Sequence, residues 1–311
     1  RSRSRRSQRE DRDEGVRAAA AAALAAVGPP AVEALLAQAQ AGDALQRRLA
    51  AEILGEVDDG QGRRWLEAAL ADRDAGVREQ AAAALGKQRE VAAIPALLQA
   101  LKDPEERVRA RATGALAGIG LPAVGPLIGA LRDPAARRPA IQGLVEVGEE
   151  AVDSLVAALA DPSPEVRGGV ADALGEIGAE AAIPALVAAL QAPEASVQWR
   201  AAWALEMFGE DVPAARAAVD AFLAARGVDL RALASDHRAA LKRGQDRPLV
   251  LALERHGTPE MAADLLRAGD VQLRLAAERW ARLRGYAIAP PARPAPRGGA
   301  GAGRPALRPG R

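Results

Sequence analysis

The 311-residue chain has no cysteine, two histidines, and only four tryptophans, two phenylalanines and one tyrosine. Without cysteine there is no disulfide, no thiolate metal ligand and no thiol nucleophile. His237 and His256 fall on separate predicted helices, without HExxH or HxxxH spacing, so neither opens a metal motif. Aromatics make up 2% of the residues, which sets the chain apart from enzyme domains built around an aromatic core. No apolar run reaches the roughly 18 residues expected of a membrane-spanning helix. No GxSxG and no glycine-rich phosphate loop occur, and no strand is predicted that could carry either. Acidic residues are numerous but fall at turns and exposed helix positions, and no carboxylate pair stands out. The expectation is a chain with no catalytic constellation, cofactor or metal.

Alanine supplies much of the 49% hydrophobic content. It is the strongest helix former, and its small side chain lets helices approach closely. The net charge of +1 hides an asymmetry: residues 1–12 carry +4 and residues 287–311 carry +5, which leaves −8 for 13–286. Both tails are predicted to be disordered, the first for lack of apolar periodicity and the second for its Pro/Gly/Arg composition. Each could act as an electrostatic handle for nucleic acid or an acidic surface. The acidic body argues against a nucleic-acid groove within it. The first residue is Arg1 rather than Met, as after removal of a leader or an upstream segment. A weak expectation of a cytoplasmic protein follows.

The dominant signal is an internal period. Asp161–Leu190 reads DPSPEVRGGVADALGEIGAEAAIPALVAAL. Val166, Val170, Ala173, Leu174 and Ile177 recur at helical spacing, and Gly178 is placed to end that helix in the left-handed conformation. Ile183-Pro184 then opens a second helix, proline being tolerated in a first turn. Leucines 24, 54, 85, 116, 144, 174 and 205 mark the same point of seven copies, 28 to 31 residues apart. The expected organisation is a tail over 1–12 and about seven helical hairpins over 13–209. Degenerate helices forming a C-terminal cap follow over 210–286, and a second tail over 287–311. Trp280 is expected in the core of the cap.

DPxxxVRxxAxxALGxIG followed by AIPALxxAL resembles the HEAT repeat, in the subtype first associated with phycobilisome bilin lyases. The resemblance covers roughly 13–209 and implies an all-α, right-handed superhelical solenoid. It also implies that the Val-Arg helices line the concave side, and that turn aspartates and helix arginines form a ladder between neighbours. Asp103, Asp133 and Asp161 match those positions, with Arg109, Arg137 and Arg167. Gln198 replaces the arginine of the seventh copy, where the ladder is expected to stop. HEAT-like deoxyhypusine hydroxylases bind iron through His-Glu pairs, and this chain has none.

Advancing each Val-Arg helix by about 100° per residue places the second and sixth residues after the valine on the side away from the core. These pairs are Ala18/Ala22, Arg48/Glu52, Glu79/Ala83, Ala110/Gly114, Arg138/Gln142, Gly168/Asp172 and Trp199/Trp203. The face is small or of mixed charge until two tryptophans appear one turn apart, and tryptophan is enriched in interface hot spots. The leading expectation is a non-catalytic scaffold, monomeric or in a heterodimer, that holds a protein or peptide on this face. The candidate contacts are Trp199, Trp203, Arg138, Gln142, Asp172, Arg48, Glu52 and Glu79. Two alternatives stand beside it: a bilin-lyase-like subunit or chaperone acting on a partner protein, and weak nucleic-acid binding through the tails. A further alternative makes the tryptophan pair part of the cap core, covered by the helices after Gly209.

Overall fold

The computed structural model describes residues 29–57, 59–209 and 212–287, with Ala23 and the pair Arg308–Pro309. The predicted tail over 1–12, most of the first repeat helix with Leu24 and the pair Ala18/Ala22, and nearly all of 287–311 lie outside the described residues. The chain divides into two compact units, 1–173 and 174–311.

In the first unit the helices are α1 (Pro29–Ala41), α2 (Ala44–Leu54), α3 (Gly60–Ala69), α4 (Ala75–Lys87) and α5 (Ile94–Ala100). They continue with α6 (Glu106–Ile119), α7 (Leu121–Ala130), α8 (Arg137–Val147), α9 (Val152–Ala158) and most of α10 (Pro164–Ile177). Asp43 and Gln46 close a reciprocal capping box on α2, and Asp59 and Asp74 cap α3 and α4. Gly120 and Gly148 end α6 and α8 with φ of 81° and 73°, the left-handed region that favours glycine. The Val-Arg helices α2, α4, α6 and α8 pack side by side, and α3, α5 and α7 each lie against the Val-Arg helix of the next hairpin. Leu54, Leu85, Leu116 and Leu144 have no exposed surface, so the leucine period marks the core.

Successive Val-Arg helices meet through glycine. A Cβ on Gly86 would lie 2.7 Å from Ala115 Cα, and one on Gly55 would lie 2.8 Å from Ala84 Cβ. The glycines that follow Leu54 and Leu85 are therefore points where one helix backbone presses on an alanine of the next. Gly125, on α7, has nothing within 4 Å of the same position.

The turn aspartates and helix arginines form a ladder, in a register different from the simple pairing expected. Each arginine first binds the carbonyl six residues behind it: Arg78 to Asp72 at 2.8 Å, Arg109 to Asp103 at 2.7 Å, Arg137 to Leu131 at 2.8 Å and Arg167 to Asp161 at 2.6 Å. Arg47 and Arg78 also reach forward to the next turn, forking onto Asp72 (2.7 and 3.0 Å) and Asp103 (2.6 and 2.9 Å). Asp133 and Asp161 take cations from the preceding turn instead, Lys102 at 3.4 Å and Arg132 at 2.7 Å. Each aspartate also accepts the backbone N–H two residues on, which fixes the turn.

The second unit runs from the last turn of α10 through α11 (Ile183–Ala189), α12 (Ala195–Glu206), α13 (Pro213–Ala224), α14 (Leu230–Ser235) and α15 (His237–Lys242). α16 (Asp246–His256), α17 (Pro259–Leu265) and α18 (Val271–Leu283) complete it. α12 packs on α11, α13 and α16, and α16 packs in turn on α14, α15 and α18. The close approach recurs, a Cβ on Gly175 falling 2.7 Å from Ala204 Cα. Trp280 is 2% exposed and stacks on Tyr286, in keeping with the expected core position. The only strand pairing among the described residues joins Tyr286–Ala287 to Arg308–Pro309. The ladder does not stop at Gln198. Its Nε2 donates to the Ala192 carbonyl six residues back, at 2.6 Å, as the arginines do. Its Oε1 accepts from Arg226 at 2.7 Å, so the link to a neighbouring helix survives with donor and acceptor exchanged.

Two predictions follow from this packing. Gly86→Ala should lower stability by about 1–3 kcal/mol, because an extra methyl meets backbone, whereas Gly125→Ala should be neutral or stabilising by up to about 1 kcal/mol. Paired urea melts test this, and equal effects would remove the close approach as a constraint.

Burial alone would raise the Asp72 and Asp103 carboxyls. The arginine hydrogen bonds, the backbone N–H two residues on and the nearby arginine charges together outweigh it and hold both below the ordinary aspartate value. The unfolded chain therefore binds more protons in acid. The ladder's contribution is fully present above the unfolded value of about 3.9 and is lost as pH falls through the lower folded values. Asp103→Asn should flatten the fall in urea midpoint across that acidic window, and an unchanged slope would show that the pair is not linked to folding.

Candidate partner-binding site

The expected face is present in part. Arg48, Ala110, Gly114, Arg138 and Gln142 are exposed, while Glu52, Glu79 and Ala83 are half-buried. Glu79 sits between Arg107 and Arg111 of α6, at 3.6 Å from each, and Gln142 donates to Glu146 at 3.2 Å. The small residues leave room for long neighbours: Arg48 lies over Gly76, and Glu146 approaches Gly114. This is a solvated surface of alternating charge.

Asp172 and Trp203 depart from the expectation of exposure. Asp172 is 4% exposed and Trp203 8%. The angular argument gave each helix one buried side. Residues 168–173 of α10 and 201–205 of α12 are buried without interruption. Such runs exceed one helical turn of 3.6 residues and leave no open side. For α12 the extra cover comes from α16, one of the helices after Gly209.

Trp199 is half-buried. It meets Phe222 of α13 edge to face, with ring centroids 5.0 Å apart and planes at 85°, and the Arg226 guanidinium sits 3.7 Å from the Phe222 centroid. Trp199 and Trp203 together wall a cavity of about 220 Å³. Ser196 and Arg200 complete the α12 side, Asp246, Arg247 and Val250 come from α16, and Asp270 and Gln272 from the start of α18. Asp270 caps α18 through Leu273 N–H at 3.0 Å, and Asp246 stands in the first turn of α16. Burial, with the Asp270 charge added, pushes the Asp246 carboxyl above its ordinary value.

Sequence reasoning missed this acidic wall. The echo between LALERHG and Trp203–Gly209 was the available signal. Taking α16 as the next helix of the α12 row brings its N-terminal end, with Asp246, beside the tryptophans.

Deeper in the same unit lies a charged network. Arg255 forks onto Glu206 at 2.6 and 2.7 Å and also binds Asp220. Burial pushes the Glu254 carboxyl up, and Arg279 at 3.0 Å offsets this only in part, with Trp203 and Arg284 adding to the relief. The Trp203 indole N–H comes near this carboxylate, yet it closes no hydrogen bond. His237 is buried between the Ala234 carbonyl at 3.2 Å and Asp264 at 3.0 Å. Asp264 also takes Arg238 and Arg267, so this cluster is internally satisfied. Among the described residues no group of His, Cys, Asp and Glu is placed to hold a metal ion, and no helix is long and apolar enough to cross a membrane.

Comparisons with known proteins give a family match and several similar solved structures. No curated protein matches the sequence. An archaeal HEAT-like repeats protein from Thermococcus onnurineus NA1 is 15% identical over 82% of this chain and 97% of its own, with a TM-score of 0.33. The complex of CpcE and CpcF of phycocyanin lyase from Nostoc sp. PCC7120 is 26% identical over 71% of this chain and 94% of the matched chain, with a TM-score of 0.29. Importin beta is 14% identical over 80% of this chain and 40% of its own, with a TM-score of 0.40. The family model for HEAT repeats matches in overlapping stretches, 32–117, 62–144, 94–162, 125–206 and 152–242. Those matches span well over half of the sequence, and the chain belongs to the HEAT-repeat family.

Proposed function

We propose that this HEAT-repeat chain is a non-catalytic scaffold that binds a protein or peptide on the face of its Val-Arg helices, with Trp199 at the centre of the contact. The observation that carries the reading is the cavity on α12. It brings two tryptophan walls together with charged and polar groups in one place. A half-buried tryptophan held edge-on by Phe222 is already ordered, so a partner loses little side-chain entropy in meeting it. Arg138, Gln142, Arg48, Glu52 and Glu79 serve this reading as a polar, complementary surface rather than as anchors. Asp172 and Trp203, being buried, support the face from within. The tails and the bilin-lyase resemblance are left without a specific observation in their favour.

Panning a random peptide library against the full chain tests the reading. Selected peptides should shield Trp199 from acrylamide and should lose about 2 kcal/mol or more of binding on Trp199→Ala. Peptides that bind the variant as tightly as the parent would take Trp199 out of the site.

The two tryptophans should also separate in stability. Trp203→Ala should cost about 3–5 kcal/mol as a buried truncation, and Trp199→Ala should cost less than half of that. Thermal or urea melts with equal losses would make Trp199 a core residue and leave the scaffold without its anchor.

A further inference from the structure

We propose that the cavity between α12, α16 and α18 receives a single cationic side chain, an arginine or a lysine, of the bound peptide. The proposal rests on the scaffold reading and adds the chemistry of the residue that the scaffold selects.

Three observations meet at this place. The first is size. About 220 Å³ is below the range of roughly 300–1,000 Å³ typical of sites for whole small molecules, and suits one side chain. The second is the pair of indoles. The face of tryptophan attracts a cation more strongly than that of any other aromatic residue, and more so when water is excluded. Trp203 is fixed by burial and Trp199 by its contact with Phe222, so both walls are preformed.

The third is a pair of carboxylates that share the cavity lining with Arg200 and Arg247. Asp246 and Asp270 are brought to one cavity from two helix starts, and no ion pair joins either to a described residue. Arg200 and Arg247 also line the cavity, but neither relieves Asp246, whose carboxyl is pushed up by burial and by Asp270. Asp270 spends one oxygen on the cap of α18 and keeps the other available. A guanidinium or ammonium placed between the carboxylates would relieve their repulsion and stack on indole at the same time.

The test uses the full chain and three capped tripeptides of the form Gly-X-Gly, with X arginine, citrulline or glutamate. Citrulline keeps the shape of arginine and removes the charge. Binding is read from the indole N–H signals in two-dimensional NMR, with Trp199 assigned from Trp199→Phe. The arginine peptide should shift the Trp199 and Trp203 signals saturably, with citrulline weaker by about tenfold and glutamate showing no saturation. Asp246→Asn should weaken the arginine peptide by about tenfold, leave citrulline unchanged and leave the melting temperature in place. Trp199→Phe should weaken it less than Trp199→Ala.

Equal binding of arginine and citrulline, or preference for glutamate, would overturn the proposal. So would the absence of any saturable shift at about 10 mM arginine peptide, a concentration that would populate even a millimolar site. The two readings fail differently. Library peptides that engage Trp199 but show no enrichment of basic residues would leave the scaffold standing and remove the cation pocket. Peptides that ignore Trp199 altogether would remove both.

Discussion

The structure depends on how closely one Val-Arg helix can approach the next. Gly55 meets Ala84, Gly86 meets Ala115 and Gly175 meets Ala204, each with no space for a methyl group. Contacts of this kind bring dispersion from backbone as well as side chains, and they allow an alanine-rich interior to reach native packing density without large residues. They also explain why 2% aromatics suffice for a well-buried core. The alanine content is therefore more than a helix preference: it sets the spacing between neighbouring helices. The leucines fill the room left between Val-Arg helices and their hairpin partners, and they sit at zero exposure through the repeats.

Such packing makes a stack local. Each hairpin touches its neighbours, and stability becomes a sum of unit and interface terms. The arginine–aspartate ladder is one such interface term. Its arginines are mostly satisfied inside their own hairpin, by the carbonyl six residues back. The forward reach to the next aspartate is made by Arg47 and Arg78 and is delegated elsewhere to Lys102 and Arg132. The intra-hairpin bond needs only a donor of the right length, which is why Gln198 can replace arginine. The forward link needs a donor and an acceptor, and it does not matter which side supplies which. That is how Arg226 restores it.

The fold was largely legible in the sequence, because its determinants are local and repeated. The leucine period, the glycine stops and the Ile-Pro helix starts each have a direct physical reading, and the hairpins fall where these signals placed them. The site was legible only in part. Phase along one helix separated exposed Arg138 and Gln142 from buried Leu144, but it failed at Asp172 and Trp203. Phase describes a helix with one neighbour, and the middle of α10 and α12 is covered on every side. The acidic wall was not legible at all, since Asp246 and Asp270 read as ordinary helix-start residues. Their meeting depends on the register between helices whose repeat signature has decayed.

That decay is what creates a site. Regular repeats present the same small or charged residues at each step, and the resulting surface offers no single place to anchor a partner. Once the period breaks after Gly209, α16 and α18 bring their first turns against the α12 tryptophans, and a cavity opens between them. Trp203 buries its indole where α12 packs on α16, and only its N–H goes without a hydrogen bond, a local cost inside a favourable apolar contact. Irregular packing after Gly209 thus gathers aromatic and charged groups around one cavity of the second unit, where the regular hairpins spread small and charged residues along a row.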